Sequence, residues 1–388
     1  MEFILLVLAG CIAGVFTGLI PGIHMNTVSV ATVYLMPGNQ ELIYFIIAMS
    51  VVHTFVDFIP SILFGAPEAE NFLSVLPGHR MLLEGRGLNA IKITVFGGVI
   101  GGVVSVLFSF VFIQLIEKIK WIIPKIIPAV LVFVLLLMVS EEKNKKYSVL
   151  VILASGLLGL IVLNDFFYVK EPLFVLVTGF FAFPLIINSI MKKTRIPEQK
   201  NEAFSFSFQE IKGCLLSVLG GSIVSLIPAV GPSISAFVLS KFSRLNPKAF
   251  LALLGGINTT NIIFSFFVLI AIGKTRSGSA VAVKELGGIA KNELLLICAV
   301  VLISIIFASV VTVILSKVFI NSIQKINYTK MNLIVLIFLV LLVLFFSGIN
   351  GLIVSAVAAG IGLIAVKKGI KKSSCMSFLV FPVMGNYL

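Results

Sequence analysis

Hydrophobic and polar positions in this chain do not alternate with a simple helix or strand period. They separate into long uncharged blocks divided by short charged segments. Blocks without Asp, Glu, Lys or Arg run from 3 to 40, 93 to 116, 172 to 191, 213 to 240, 249 to 273, 294 to 316 and 331 to 366. A membrane-spanning helix needs about 20 apolar residues. The blocks at 3–40 and 331–366 are too long for one helix and carry Gly-bearing breaks, so each is predicted to form two legs. The pattern predicts an all-α polytopic membrane protein with about ten crossings plus two re-entrant hairpins.

The most informative breaks carry proline. Residues 15–27 read Val-Phe-Thr-Gly-Leu-Ile-Pro-Gly-Ile-His-Met-Asn-Thr, and residues 222–234 read Ser-Ile-Val-Ser-Leu-Ile-Pro-Ala-Val-Gly-Pro-Ser-Ile. A shift of 207 residues superposes Pro21 on Pro228, Gly14 on Gly221, Leu19 on Leu226 and Ile20 on Ile227. Near the ends of the two halves, Ala182-Phe183-Pro184-Leu185 answers Val380-Phe381-Pro382-Val383. Matching Gly and Pro count for more than matching Leu and Ile, because each marks a break in the backbone. The chain therefore reads as an N-terminal repeat (1–195), a cytoplasmic linker (196–212) and a C-terminal repeat (213–388). Broken helices at corresponding places in two halves are the best sequence pointer to a transporter's binding site.

Composition agrees with the pattern: 59% of residues are hydrophobic, 12% are charged, and mean hydropathy is +1.17. Soluble domains carry roughly 25% charged residues. The N-terminus has no basic flank or small-residue cleavage site, so it is not read as a removed leader. The net charge of +13 comes mostly from Lys and Arg in short loops. That distribution sets orientation in a membrane and gives no sign of nucleic-acid binding. Cys11, Cys214, Cys298 and Cys375 are isolated and read as small core residues.

Loop charge predicts opposite topologies for the two halves. The basic segment Lys192-Lys193-Thr194-Arg195 is placed in the cytoplasm. Counting back puts the 141–147 loop, with Lys143, Lys145 and Lys146, on the same side. Its uncharged counterpart Ser347-Gly348-Ile349-Asn350 falls outside. The 164–171 loop has one Lys and falls outside, whereas its counterpart 367–372 has four and falls inside. Pro37 to Gln40 carries no Lys or Arg, and its counterpart 241–248 carries Lys241, Arg244 and Lys248. Two inverted-topology repeats with broken helical hairpins follow, a plan shared by many secondary transporters. Two outer segments break the charge rule: Lys118, Lys120 and Lys125 in one, and Lys274, Arg276, Lys284 and Lys291 in the other.

The leg after each break begins with short polar residues: His24, Asn26, Thr27 and Ser29 in the first half, and Ser233 and Ser235, after Gly231, in the second. A helix starting there offers free N–H groups and its positive dipole end to an anion. The plain alternative is an N-cap that only starts the helix. A second polar cluster follows each hairpin, and His53/Asn258 and Thr54/Thr259 align at a shift of 205. In the second half the cluster also includes Thr260 and Asn261. Asp57 follows His53 at i+4, on one helix face. Ionisable groups at membrane depth are functional candidates, so His53 and Asp57 are candidates for a coupling proton or Na+, the alternative being a mutually satisfied buried pair. Glu68 and Glu70, in a Pro-rich loop, are weaker candidates. Lys274 and Arg276 are candidate anion contacts. No GxxxxGK[ST], HExxH or GxSxG motif occurs. Neither a metal site nor another cofactor is expected, and no enzymatic reaction.

Gly18-Leu19-Ile20-Pro21-Gly22-Ile23-His24-Met25-Asn26-Thr27, Gly65-Ala66-Pro67-Glu68 and Leu76-Pro77-Gly78-His79-Arg80, ending Glu84-Gly85-Arg86-Gly87, carry a resemblance over most of the chain. They resemble TctA-type permeases, the large membrane subunit of tripartite tricarboxylate transporters, and within them a compact, largely archaeal branch. The resemblance implies a multi-pass carrier with Pro21, Gly22 and Pro228 lining the substrate site. It also implies binding-protein and small membrane subunits as partners, and a homodimer is compatible with it. His24 and Asn26 stand where such permeases usually have small residues or proline.

The expected function is secondary transport of an organic anion, a carboxylate, across the cell membrane by alternating access of one half against the other. Pro21, Gly22, His24, Asn26, Thr27, Pro228, Gly231, Ser233, Ser235, Asn258, Thr259, Asn261, Lys274 and Arg276 are the candidate contacts. A polyprenyl-phosphate lipid-carrier translocase is the alternative, and a non-transporting membrane scaffold a third.

Overall fold

A computed structural model describes residues 2–20, 24–36, 38–64, 75–140, 142–191, 197–200, 206–227, 230–275, 277–323, 328–370 and 372–385. The first half holds α1 (Glu2–Leu19), α2 (Met25–Leu35), α3 (Leu42–Val56), α4 (Phe58–Phe64), α5 (Val75–Leu83), α6 (Gly87–Leu107), α7 (Ser109–Ile119), α8 (Ile123–Ser140), α9 (Lys145–Leu163), α10 (Pro172–Val177) and α11 (Phe183–Met191). The second holds α12 (Phe208–Leu226), α13 (Pro232–Ser243), α14 (Pro247–Ile272), α15 (Gly278–Glu285), α16 (Leu294–Ile323), α17 (Tyr328–Lys367) and α18 (Ser377–Gly385). Eight spans among the described residues are long and apolar enough to cross a membrane. The chain is an all-α polytopic membrane protein.

Both predicted hairpins are present. α1 and α2 form the first, and α12 and α13 the second. α12 starts at Phe208, ahead of the uncharged block at 213, because Ser207 and Glu210 cap each other's backbone groups in a reciprocal box. The long block at 331–366 is broken as expected. Gly348 adopts φ 63°, ψ −160° inside α17 and divides it into two legs; that φ favours glycine.

The helices that follow the hairpins form the centre. The membrane window of Pro247–Ile272 is wholly buried and that of Leu42–Phe64 is 89% buried, against 22% for Asn332–Lys367. α1 runs parallel to α3, with Gly10 against Phe45, Gly14 against Met49 and Gly18 against Val56. α12 lies on α14 in the same sense, with Gly213 against Ala249 and Gly221 against Thr260.

The halves are inverted and interleaved. α6 runs parallel to α14: Gly98 meets Thr259, and Gly102 meets Ile263. α16 runs antiparallel to the α6–α7 rod, since Gly102 meets Ile305 and Ser109 meets Cys298. α16 shares the sense of α1 and α3–α4: Cys11 reaches Ser304, and Phe64 packs on Phe319. The central helices α3–α4 and α14 therefore run in opposite directions. At the far end of each half the exchange repeats. α9 packs on α18 through Ser155 and Ser377, 2.7 Å apart. The second leg of α17 packs on the π-helical turn Thr178–Ala182, where Gly179 faces Ser355 and Ala358.

Loop contacts sort by side as loop charge predicts. Lys212 Nζ donates to Ser243 O at 3.0 Å, and Lys368 lies 4.7 Å above the Tyr147 ring. These join segments assigned to the inside. Lys291 pairs with Glu117, Gly287 lies against Gln40, and Asn350 donates to Tyr168 O at 3.1 Å. These join segments assigned to the outside, including both that break the charge rule.

Candidate functional site

The two hairpin breaks enter the centre from opposite ends. Gly18, just before the first break, lies against Val56 and the amide of Asp57. Gly221, one turn and a half before the second, lies against Thr260 and Asn261. At 1.5 Å rise per residue, the first break lies about 5 Å and the second about 12 Å, along the helix axes, from the point where α3 crosses α14.

That crossing is polar and dry. His53, Thr54 and Asp57 are each 1% exposed, and Asn258, Thr259 and Thr260 are at 0%. The Asn258 amide donates to Asp57 Oδ2 at 2.9 Å and to Thr54 O at 3.2 Å. Thr54 Oγ1 and Thr259 Oγ1 are 3.1 Å apart. Thr260 donates to Ser217 O at 2.9 Å, tying the layer to the second hairpin. His53 Nδ1 lies 3.1 Å from Thr17 Oγ1, tying it to the first. The layer thus joins α1, α3, α12 and α14, two helices from each half.

His24 starts α2. Its Nδ1 accepts from the Asn26 amide at 3.1 Å, and its ring centroid lies 5.0 Å from that of His53. His24 is therefore the N-cap of α2. Asn26 does something the sequence does not show. Its Oδ1 accepts from both the amide (3.0 Å) and hydroxyl (3.2 Å) of Ser279, capping α15 of the other half. Ser29 donates to Met25 O and meets the Ser279 hydroxyl at 3.1 Å. Hairpin one is therefore latched to the second half.

In the second hairpin, Gly231 is the N-cap of α13, with Pro232 next. Ser235 donates to Gly220 O at 3.1 Å, closing the two legs, and Ser233 is fully buried. Asn261 is 7% exposed, on the break side of Thr260. Lys274 is exposed, just past the Gly273 C-cap of α14, away from the polar layer. Pro21, Gly22, Pro228, Glu68, Glu70 and Arg276 lie outside the described residues, as does the side chain of Thr27. Thr17 and Ser217 complete the layer but were not singled out from sequence. Their signal was a hydroxyl inside an uncharged block before each break.

A cavity of about 890 Å³ lies elsewhere, at the base of the second hairpin, lined by Arg80, Glu84, Arg86, Ser207, Glu210 and Lys248 among others. Arg86 and then Arg80, hydrogen-bonded to Glu84, hold its carboxyl below the usual carboxylate range.

The Tripartite tricarboxylate transporter TctA family matches residues 4–377. The chain belongs to that family. An uncharacterised protein of Methanocaldococcus jannaschii is 31% identical over 396 residues, covering 99% of this chain and 99% of the relative. No solved structure matches. TctA proteins are transporter components, so the polar layer sits in a multi-pass membrane component of a transporter.

Proposed function

We propose that this TctA protein is a secondary transporter of an organic anion, a carboxylate, bound beside the breaks of α1–α2 and α12–α13. The observation that carries this is a buried polar layer reached by one hairpin from each side of an inverted pair of halves. Each break is followed by a helix start, at His24–Met25 and at Gly231–Pro232, where amide groups and a positive dipole end are available to an anion. An anion there gains amide donors without needing a buried lysine.

The interleaving bears on how access alternates. α6 is bound to α14 and α16 to α3, which argues against the halves moving as two rigid units. Relative motion suits a different partition. The bundle of α1–α7 with α12–α16 would move against α8–α11 with α17 and α18. Family membership favours service in a cell membrane beside a binding-protein subunit and a small membrane subunit.

The test is uptake of labelled citrate and of dicarboxylates by purified protein in liposomes under proton and sodium gradients. Saturable uptake that Asn258→Ala reduces at least tenfold supports the reading. No uptake of any carboxylate, with or without the accessory subunits, overturns it.

A further inference from the structure

We propose that the cavity at the base of the second hairpin binds the phosphate of a headgroup-sized molecule, at a site separate from the polar layer. The cavity measures about 890 Å³ and lies between α5 of the first half and the starts of α12 and α14 of the second. Lys248 on its wall precedes Asn258 by ten residues of α14, about 15 Å at 1.5 Å per residue. Ser207 and Glu210 belong to the 196–212 linker, and Lys248 to the 241–248 loop. Loop charge assigns both segments to the cytoplasmic side.

Local sequence builds the cationic wall. Gly85 ends α5 with φ 81°, a value that favours glycine. The Arg86 amide then donates to Met81 O at 2.7 Å, and the Gly85 amide to Leu82 O at 3.0 Å. This pair of bonds is the Schellman ending of a helix. It turns the chain back so that Glu84 meets both Arg80 and Arg86. Arg80 Nε donates to Glu84 Oε1 at 3.1 Å, and Arg86 Nη2 donates to Oε2. One carboxylate thus holds two guanidinium groups together. The linker straps this turn in place: the Gly87 amide donates to Gln199 Oε1 at 2.8 Å, and Gln199 Nε2 donates to Leu82 O at 3.0 Å.

Charge makes the cavity an anion site. Its wall carries the cations Arg80, Arg86 and Lys248 and the acids Glu84 and Glu210. Both acids are engaged. Glu84 accepts from both arginines, and Glu210 Oε2 accepts from the amide (2.7 Å) and the hydroxyl of Ser207. Among the described residues, Arg80 engages Glu84 through Nε alone, which leaves its two Nη groups as donors. Among the same residues Lys248 makes no hydrogen bond or ion pair, and it is exposed. Guanidinium groups suit bidentate recognition of phosphate, and a lysine adds a point charge. Size and wall chemistry narrow the ligand. Ligand pockets run from about 300 to 1,000 Å³, so the space suits a molecule larger than the bare ion. Pro77, Met81 and Phe206 give the wall an apolar part, with the Phe206 ring stacked on Phe96 at 3.5 Å. Basic pockets between membrane helices on the cytoplasmic side bind anionic lipid headgroups, and a soluble phosphate ester carries the same chemistry.

The test uses the detergent-solubilised full-length protein. Phosphatidylglycerol is titrated in and its adducts are counted by native mass spectrometry. Glycerol phosphate and inorganic phosphate are titrated in parallel by calorimetry. We expect saturable binding of a phosphate-bearing probe that Arg86→Gln weakens roughly tenfold, the worth of one charge-assisted hydrogen bond. Arg80→Gln combined with Lys248→Gln should also weaken it. Lys120→Gln, in a segment assigned to the outside, should leave it unchanged. Should Arg86→Gln fail to fold, Lys248→Glu reverses a charge at an exposed position with no partner to lose, and binding should weaken likewise. Phosphatidylglycerol binding without glycerol phosphate binding supports a lipid source, and glycerol phosphate binding supports a soluble one. No binding of any of the three probes, or binding that every cation variant retains in full, overturns the proposal. Uptake plays no part in these readouts, so failure of the carrier reading leaves the result standing.

Discussion

Thr54 and Thr259 touch through their hydroxyls at 3.1 Å, and they hold the same place in the two halves. Equivalent atoms meet only near a twofold axis, so the axis relating the halves passes between them. Phe180 and Phe378 mark it a second time. They share the offset that superposes Pro184 on Pro382, and their rings stack at 5.4 Å and 25°.

Thr54 also donates to Val51 O at 2.7 Å, whereas the bond from Thr259 to Gly255 O is long at 3.4 Å. Thr259 is therefore the donor across the axis. Thr259→Val and Thr54→Val should each lower stability by about 1 kcal/mol. Thermal unfolding in detergent should show the double variant losing less than the two single losses added together. Strict additivity would contradict the contact.

Asn258→Leu takes a donor from the buried Asp57 carboxyl. A loss of roughly 1–3 kcal/mol is expected. Asp57→Leu combined with Asn258→Leu should restore most of it, because apolar replacement of a buried polar pair is often neutral. A double variant worse than Asn258→Leu alone would show that Asp57 stabilises through other bonds.

A methyl group at Gly97 would press on the Ala252 carbonyl and come within 3.0 Å of the Gly256 amide, both backbone. Backbone cannot swing aside as a side chain can. Gly97→Ala should cost about 3 kcal/mol or more, read as loss of folded protein by size-exclusion chromatography. Gly360→Ala, with open space around it, is the control.

Asn26→Ala frees the Ser279 amide at the start of α15. A cap is worth about 1 kcal/mol, or roughly a fivefold rise in hydrogen exchange there. Exchange confined to α2, with α15 unchanged, would refute the cross-half latch.

Glu84 supplies a pH dependence. Its folded carboxyl is held below the usual range by Arg86 and Arg80. The stabilisation is therefore complete above the unfolded value of about 4.3 and is lost as pH falls through the folded value. Glu84 is 37% exposed, so the effect is small and screened by salt. Glu84→Gln should lower the melting temperature slightly near neutral pH and leave it unchanged near pH 3. Equal lowering at both would point to packing.

The hairpins were legible because Pro21 and Pro228 interrupt apolar blocks at equivalent places, and proline in a helix interior has a backbone cause. Inversion was legible because lysine distribution reports side. Two things were not. Gly97, Gly98, Gly101 and Gly102 announce that a helix is closely approached, but not that the neighbour is α14 from the opposite half. Asn26 at a helix start reads as its own cap, since local sequence cannot reveal that Ser279 is near.

The glycine face of α6 has a consequence during synthesis. That helix leaves the ribosome long before α14 exists, and its close-fitting surface has no partner until translation is well into the second half. The first half must therefore be held in the membrane unfinished, and a chain truncated before Pro247 should be degraded rather than persist as a stable fragment.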